Sequence, residues 1–223
     1  WLSNLVKPLG SREIGVSTTF PHFVPTGGIW SKIKSVWGLV GIGLMQAKLT
    51  RFVWGGSMAF RGELMDPGSM EFFKKHVSDD IAIMRIVKNK GLNICYCKTA
   101  APVINSPDDF KTFREWSNRQ TALSVSASRS ILKFGMVFYS SEILLLAGAI
   151  IFSILFSPIF LFLLAPYLLF AYRNLQNHHR GGLYVFLIAL LIPFIAISNL
   201  VIAAGTKTIQ WRGMEYDLTK QPR

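Results

Sequence analysis

Only two cysteines occur in 223 residues, Cys95 and Cys97, which argues against a disulfide scaffold. Their i, i+2 spacing places both side chains on one face of a strand. Two small core residues are the favoured reading over a metal or redox site. Carboxylates are scarce too: 12 Asp and Glu stand against 24 Lys and Arg, a net charge of +12. The chain contains no Asp-x-Asp, no His-Glu-x-x-His, no Gly-x-Ser-x-Gly and no phosphate-loop Gly-Lys-Ser/Thr, so those local catalytic signatures are excluded. Zinc-finger spacing and a basic heptad helix are also missing, which ranks nucleic acid low as the partner of the positive charge. No charged-then-apolar leader opens the chain, and its first residue is Trp1. A fragment whose N-terminal part is missing is the expectation.

What the sequence has in excess is apolar surface, 51% of residues, concentrated between Phe134 and Ala204. One membrane span needs about 20 residues, so this block predicts about three segments, roughly 135–156, 158–173 and 183–204. Ser157-Pro158 separates the first two. The basic loop from Arg173 to Gly182 separates the last two, and Pro193 is where the third would break. Glu142 inside the first segment is a costly carboxylate and a functional candidate by default. Its polar neighbours Tyr139, Ser140 and Ser141 favour an interfacial or helix-facing position instead. Lys and Arg favour the cytoplasmic side. A third segment that crosses fully would place the basic tail outside, whereas a broken or re-entrant one would not. A basic domain beside membrane segments suits anionic headgroups or a nucleotide diphosphate.

The first 106 residues alternate strand and helix signals. Glu13 to Phe20 has the β-branched content of a strand. Pro21 to Pro25 reads as a loop. Trp30, Ile33, Trp37, Val40 and Leu44 form one helical stripe. Arg51 to Phe60 is strand-like, and Gly55-Gly56 within it requires a bulge or a close backbone approach. Ser78 is a helix N-cap, with Asp79 and Asp80 in the first turn, and Gly91 closes that helix. Leu92 to Cys97 is a further strand, continued by Val103-Ile104. Ser106-Pro107-Asp108-Asp109 starts a helix with proline at its first position. This basic amphipathic helix, residues 107–134, is expected to lie on the membrane surface.

A carboxylate at a helix start, below a glycine-lined backbone on a basic domain, suits a general base acting on a hydroxyl. Paired acids at helix starts are more often caps. Order and spacing add more. Trp54-Gly55-Gly56-Ser57, then Ser78-Asp79-Asp80 with Gly91, then Phe113 to Gln120, then Trp211-Arg212-Gly213 with Tyr216-Asp217-Leu218 resemble membrane-bound family-2 glycosyltransferases. The nearest branch is the ceramide glucosyltransferase-like group.

The resemblance implies an α/β fold, the C-terminal half of a GT-A-type nucleotide-sugar transferase domain (1–106), followed by α-helical transmembrane segments (135–206) and a tail (207–223). It implies hexose transfer with inversion from a nucleotide sugar, a UDP-sugar by analogy, to a membrane lipid acceptor at the cytoplasmic face. Asp80 matches the catalytic base and Asp79 its acidic neighbour. Gly55, Gly56 and Ser57 match the segment lining the acceptor side of the donor pocket. Trp116 matches the tryptophan of the Gln/Arg-x-x-Arg-Trp motif, but Thr112 and Glu115 stand at the motif's first position and its arginine. Arg114 or Arg119 is then the guanidinium for the diphosphate. A divalent metal, Mg or Mn, is implied with no ligands in this chain, so the isolated fragment is expected to be inactive. The alternatives are a processive polysaccharide synthase, disfavoured by the altered motif and about three spans, and a non-enzymatic membrane protein.

Overall fold

The computed structural model describes residues 1–177, 182–211 and 213–220. In chain order its α/β part comprises α1 (Leu2–Val6), β1 (Ile14–Thr18), β2 (His22–Pro25), α2 (Ile29–Gln46), β3 (Met58–Phe60), α3 (Pro67–Lys74), α4 (Asp79–Asn89), β4 (Asn93–Tyr96) and β5 (Val103–Ser106). There follow α5 (Phe110–Ala127), α6 (Arg129–Leu155), a 3-10 segment over Pro158–Leu164, α7 (Ala165–Asn177), α8 (Tyr184–Ala189), α9 (Ile192–Gly205), β6 (Thr208–Trp211) and β7 (Met214–Asp217).

The strand expected at Glu13–Phe20 is β1, and it is central. Residues Gly15 to Thr18 are all buried, as a strand covered on both faces must be. It pairs antiparallel with β3, Val16 opposite Phe60, and parallel with β4, Ser17 opposite Cys95. Helix α4 lays Ile83, Ile86 and Val87 against Val16 and Ile94 of this sheet and against Val53, which precedes the glycine turn. Burying such side chains contributes about 1.5–3 kcal/mol each. Both cysteines are free, and buried Cys97 packs with Leu5 and Ala100.

Gly91 ends α4 with φ +68°, while Leu92 N–H donates to Val87 O at 3.0 Å. This is the left-handed helix cap that favours glycine. A Cβ there meets nothing within 4 Å, so Gly91→Ala carries a purely conformational cost of about 1–2 kcal/mol. Thermal unfolding in detergent is expected to show the loss. An unchanged midpoint would contradict the cap.

Several elements differ from expectation. Residues 22–25 are a strand rather than a loop, because β2 pairs parallel with β5, His22 opposite Val103 and Pro25 opposite Ser106. Of the Arg51–Phe60 strand only Met58–Phe60 forms; Trp54–Ser57 is a turn. Pro107 precedes helix α5 rather than opening it. The cap is Asp109, whose Oδ1 accepts from Thr112 N–H at 2.8 Å. The helix expected over 107–134 is divided at Ser128, which is extended. Serines 124 and 126 turn their hydroxyls back onto carbonyls of Gln120 and Leu123, which weakens a helix end. The apolar face of α5 is covered by protein. Phe113 and Trp116 meet Ile33 and Val36 of α2 and Val185 and Ile188 of α8, and Ala122 and Val125 meet Leu200 and Ala203 of α9.

Two helical stretches, Arg129–Leu155 and Tyr184–Gly205, are long and apolar enough to cross a membrane, and Pro158–Arg173 is shorter. The second stretch divides at Leu190–Leu191, with Pro193 in the first turn of α9. The β6–β7 hairpin packs Ile209 and Leu218 on Ala122 and Val125 of α5, beside Val77. Arg212 of the tail motif, and His178, His179, Arg180 and Gly181 of the basic loop, lie outside the described residues.

Candidate active site

Thr18 sits at the C-terminal end of β1 and pins the glycine turn. Its Oγ1 accepts from Trp54 N–H at 3.0 Å and donates to Ser57 O at 3.1 Å. Thr19 N–H reaches the same carbonyl at 3.2 Å, and Ser57 N–H closes the turn on Trp54 O at 3.2 Å. The required close approach is on both glycines. A Cβ on Gly56 would lie 2.3 Å from the Trp54 ring, and one on Gly55 would lie 2.9 Å from Asp79 Oδ1. The Trp54 ring is itself held edge-on by Phe20, 5.8 Å between centroids. Gly56→Ala is therefore expected to displace Trp54 and lower stability by about 1–3 kcal/mol, the range for overpacking. Thermal unfolding measures this, and wild-type stability would contradict the ring's position.

Helix α4 brings the acid pair to that turn. Gly55 N–H donates to Asp80 Oδ2 at 3.3 Å. Asp80 Oδ1 accepts from Ile81 N–H at 2.8 Å and from the Ser78 hydroxyl. Ser78 thus spends its hydroxyl on the carboxylate instead of capping backbone. Exposed Asp79 accepts from Asp80 N–H at 2.9 Å. Burial pushes the Asp80 carboxyl above its ordinary range, offset in part by the Ser78 hydrogen bond, with the Asp79 charge adding to the rise. Raised carboxylates in clefts are frequent at functional sites. At the far side of α4, Arg85 donates to Ala127 O at 2.7 Å and meets His76 Nε2 at 3.1 Å, tying the acid helix to the end of α5. Burial holds the His76 imidazole below its usual range.

Gly55 and the acid pair thus come together, while Trp116 is linked to them through other rings. Trp54 meets Phe20, Phe20 meets Phe23 at 6.3 Å, and Phe23 meets Trp116 at 5.4 Å; Trp37 lies 5.1 Å from Trp116. Beneath Trp116 is a pair that sequence reasoning missed: Lys34 Nζ lies 2.8 Å from Asp108 Oδ1 and 4.6 Å from the Trp116 ring. The two residues stand 74 positions apart, and no local pattern signals them. Thr18 was missed likewise. Arg114 is exposed, its guanidinium 6.0 Å from the Phe110 ring. Arg119 is half-buried, its guanidinium 6.0 Å from Trp211, so the tail returns to α5 at the cation the altered motif leaves as candidate. Ser57 is buried, and its Oγ accepts from Trp1 Nε1 at 3.2 Å.

Among the described residues no group of three or more His, Cys, Asp or Glu is placed to hold a metal ion. Asp80 Oδ1 accepts from Ile81 N–H and the Ser78 hydroxyl and Oδ2 from Gly55 N–H, and within the acid pair Asp79 is the one other carboxylate beside it. These residues do not fit a resident divalent ion, and no step is derived through one.

Neither the curated proteins nor the solved structures yielded a match. A family model does match, that of Glycosyl transferase family 21, over residues 1–223. The motif resemblance pointed to family 2 and its ceramide glucosyltransferase-like branch; agreement is at the level of the ceramide glucosyltransferase type. Because the match takes in the glycine turn, the acid pair, the apolar helices and the tail alike, this chain belongs to glycosyl transferase family 21.

Proposed function

We propose that this protein transfers a hexose from a nucleotide sugar, of the UDP-sugar class, to the hydroxyl of a membrane lipid with inversion, and that Asp80 is the general base. The observation carrying this reading is the asymmetric anchoring of the Asp80 carboxylate. Oδ1 is held by Ile81 N–H and the Ser78 hydroxyl, whereas Oδ2 has, among the described residues, only the longer contact from Gly55 N–H. Oδ2 therefore keeps a lone pair for the acceptor proton. As the acceptor oxygen attacks the sugar C1, Oδ2 takes its proton. The bond from C1 to the diphosphate breaks, and the nucleotide diphosphate leaves with the electron pair. A base raised by burial is better matched to neutral pH than an ordinary carboxylate.

The other residues take supporting roles in this reading. Gly55 and Gly56, against which the Asp79 carboxylate and the Trp54 ring close, form the segment read as lining the acceptor side of the donor pocket, and buried Ser57 holds the turn. Trp116, seated over Lys34, is read as a substrate-binding residue. Arg119, anchored against Trp211, and the exposed Arg114 supply cations for the diphosphate, for which a guanidinium fork is suited. The α/β part is read as GT-A-type and cytoplasmic. Helix α6 and the 158–177 stretch form an in-and-out pair. Helices α8 and α9 are re-entrant, consistent with the break before Pro193 and with the tail's packing on α5. The test is transfer by the full-length Asp80→Asn protein. A lipid carrying one hexose supports single transfer over processive synthesis.

A further inference from the structure

Scarcely any of the apolar stretch of α6 is buried by the fold; Phe134, Val137 and Phe138 stand exposed at its start. A helix long enough to cross a membrane and bare on that scale is covered by lipid. Basic residues mark where the lipid ends. On α6, Lys133 is the last cation before the apolar run, and Phe138 lies five residues on, about 7.5 Å of helix rise. On α7, Arg173 is the first cation after that run, three residues past Phe170. Phe138 and Phe170 line one cavity with Leu44, Gln46 and Ala47 of the α2 C-terminal end. That end of α2 is therefore level with the headgroup boundary on both helices.

Two residues beyond Ala47 stands Leu49, at 97% exposure the barest large apolar side chain among the described residues. It does not project from a loose loop. Thr50 N–H closes a turn on Ala47 O at 3.3 Å, and Thr50 Oγ1 donates to Leu44 O at 2.8 Å. Arg51 Nε donates to Met45 O at 2.9 Å, and its fork also reaches Gln46 O at 3.3 Å and Ile94 O of β4 at 2.9 Å. These bonds satisfy the last carbonyls of α2 and fix the turn to the sheet. Lys48 beside Leu49 is exposed, and no carboxylate occurs from residue 14 to residue 62, so this face suits anionic headgroups. We propose that the turn 47–50 is a membrane-interface anchor, with Leu49 inserted at the boundary between headgroups and acyl chains and Lys48 among the phosphates of anionic lipids. Interfacial segments combine these two kinds of side chain. Helix α5, the one expected on the membrane surface, has its apolar face covered by protein. On the protein side of α2, Leu39, Ile42 and Met45 pack on Phe20, Phe52 and Trp54. Seating the anchor would thus set the height of the glycine turn above the bilayer. The anchor rests on the reading of α6 as a crossing helix.

The experiment places an environment-sensitive thiol-reactive fluorophore on the full-length protein at Leu49→Cys, Leu144→Cys or Lys88→Cys, in vesicles of phosphatidylcholine and phosphatidylglycerol. Labelling of the parent chain, with Cys95 and Cys97 alone, is the blank. Exposed Leu144 of α6 is the lipid reference and exposed Lys88 of α4 the aqueous one. At 49 the emission should be blue-shifted, and a nitroxide lipid labelled near its headgroup should quench it severalfold more than at 88. Iodide in the water should show the reverse preference. Lys48→Gln, or omission of phosphatidylglycerol, should weaken lipid quenching at 49 and leave that at 144 unchanged. Iodide quenching as strong at 49 as at 88 would overturn the anchor. So would protection from both quenchers, which means cover by a second copy or another part of the chain. Lipid quenching indifferent to both Lys48 and phosphatidylglycerol would remove the anionic lipid from it. A label at 144 that iodide reaches would take α6 out of the membrane, and the anchor with it. All of these readouts are positional and stand whether or not Asp80 is the base.

Discussion

Asp80→Asn is expected to lower turnover by about 10²–10⁴-fold, the contribution of a positioned general base, in a protein that expresses and inserts normally. The substitution keeps the shape and an oxygen able to accept from Ile81 or Gly55, but removes the lone pair that takes the proton. Stability should not fall. Burial raises the folded-state pKa of Asp80 above its unfolded value. The folded protein therefore binds that proton more tightly, and the ionised carboxylate costs stability at neutral pH. A neutral amide removes that cost, so unfolding at pH 7 is expected at or above the wild-type midpoint, with the difference vanishing as the pH falls through the Asp80 pKa. The acid limb of the pH–rate profile should lie above the ordinary carboxylate range in wild type and disappear in the variant. Near-normal turnover, with that limb intact, would remove Asp80 from the mechanism. Asp79→Asn is the useful contrast, because exposed Asp79 accepts from the Asp80 backbone N–H, lies beside Gly55 and acts on Asp80 through its charge.

The parts of this fold legible in the sequence are those set by short-range period and punctuation. Strand β1 follows from its β-branched run, and α2 from the stripe through Trp30, Ile33 and Trp37. Helix α4 follows from the acids after Ser78 and the glycine at 91, and the breaks at Pro158 and Pro193 from their prolines. The misreadings have a common cause in long-range pairing. Strand β2 looks like a loop because prolines bound it, and only β5, some eighty positions later, supplies its ladder. The site behaves the same way. Gly55-Gly56 signals a close approach, but that Gly55 meets Asp79 and Asp80 is a tertiary fact. Thr18 is an unremarkable strand residue until its hydroxyl meets Trp54 and Ser57.

The buried pair at Lys34 and Asp108 carries the second large effect. Lys34 on α2 and Asp108 before α5 are 12% and 4% exposed in their side chains. Asp108 Oδ2 also accepts from the Ser106 hydroxyl, and Ser31 Oγ donates to the Asp108 carbonyl at 3.1 Å. The pair therefore fixes where α5 leaves β5 relative to α2, and with it the seat of Trp116, whose ring lies over Lys34 Nζ. Lys34→Met leaves a buried carboxylate without its cation and is expected to lower stability by about 3–5 kcal/mol. Asp108→Asn should cost less. The stranded ammonium still lies 4.6 Å from Trp116 and 5.1 Å from Phe23, and such contacts offset about 0.5–2 kcal/mol. The double substitution removes both charges and should recover most of the loss, giving a double-mutant coupling within the roughly 0.5–3 kcal/mol seen for contacting residues, or above it. Because neither group is assigned to substrate, transfer per folded molecule should survive in the double variant even though each single variant is thinned by unfolding. A Lys34→Met protein as stable as wild type would mean that Trp116 is seated by ring contacts alone. A stable double variant with no activity would move Lys34 from the scaffold into the substrate pocket.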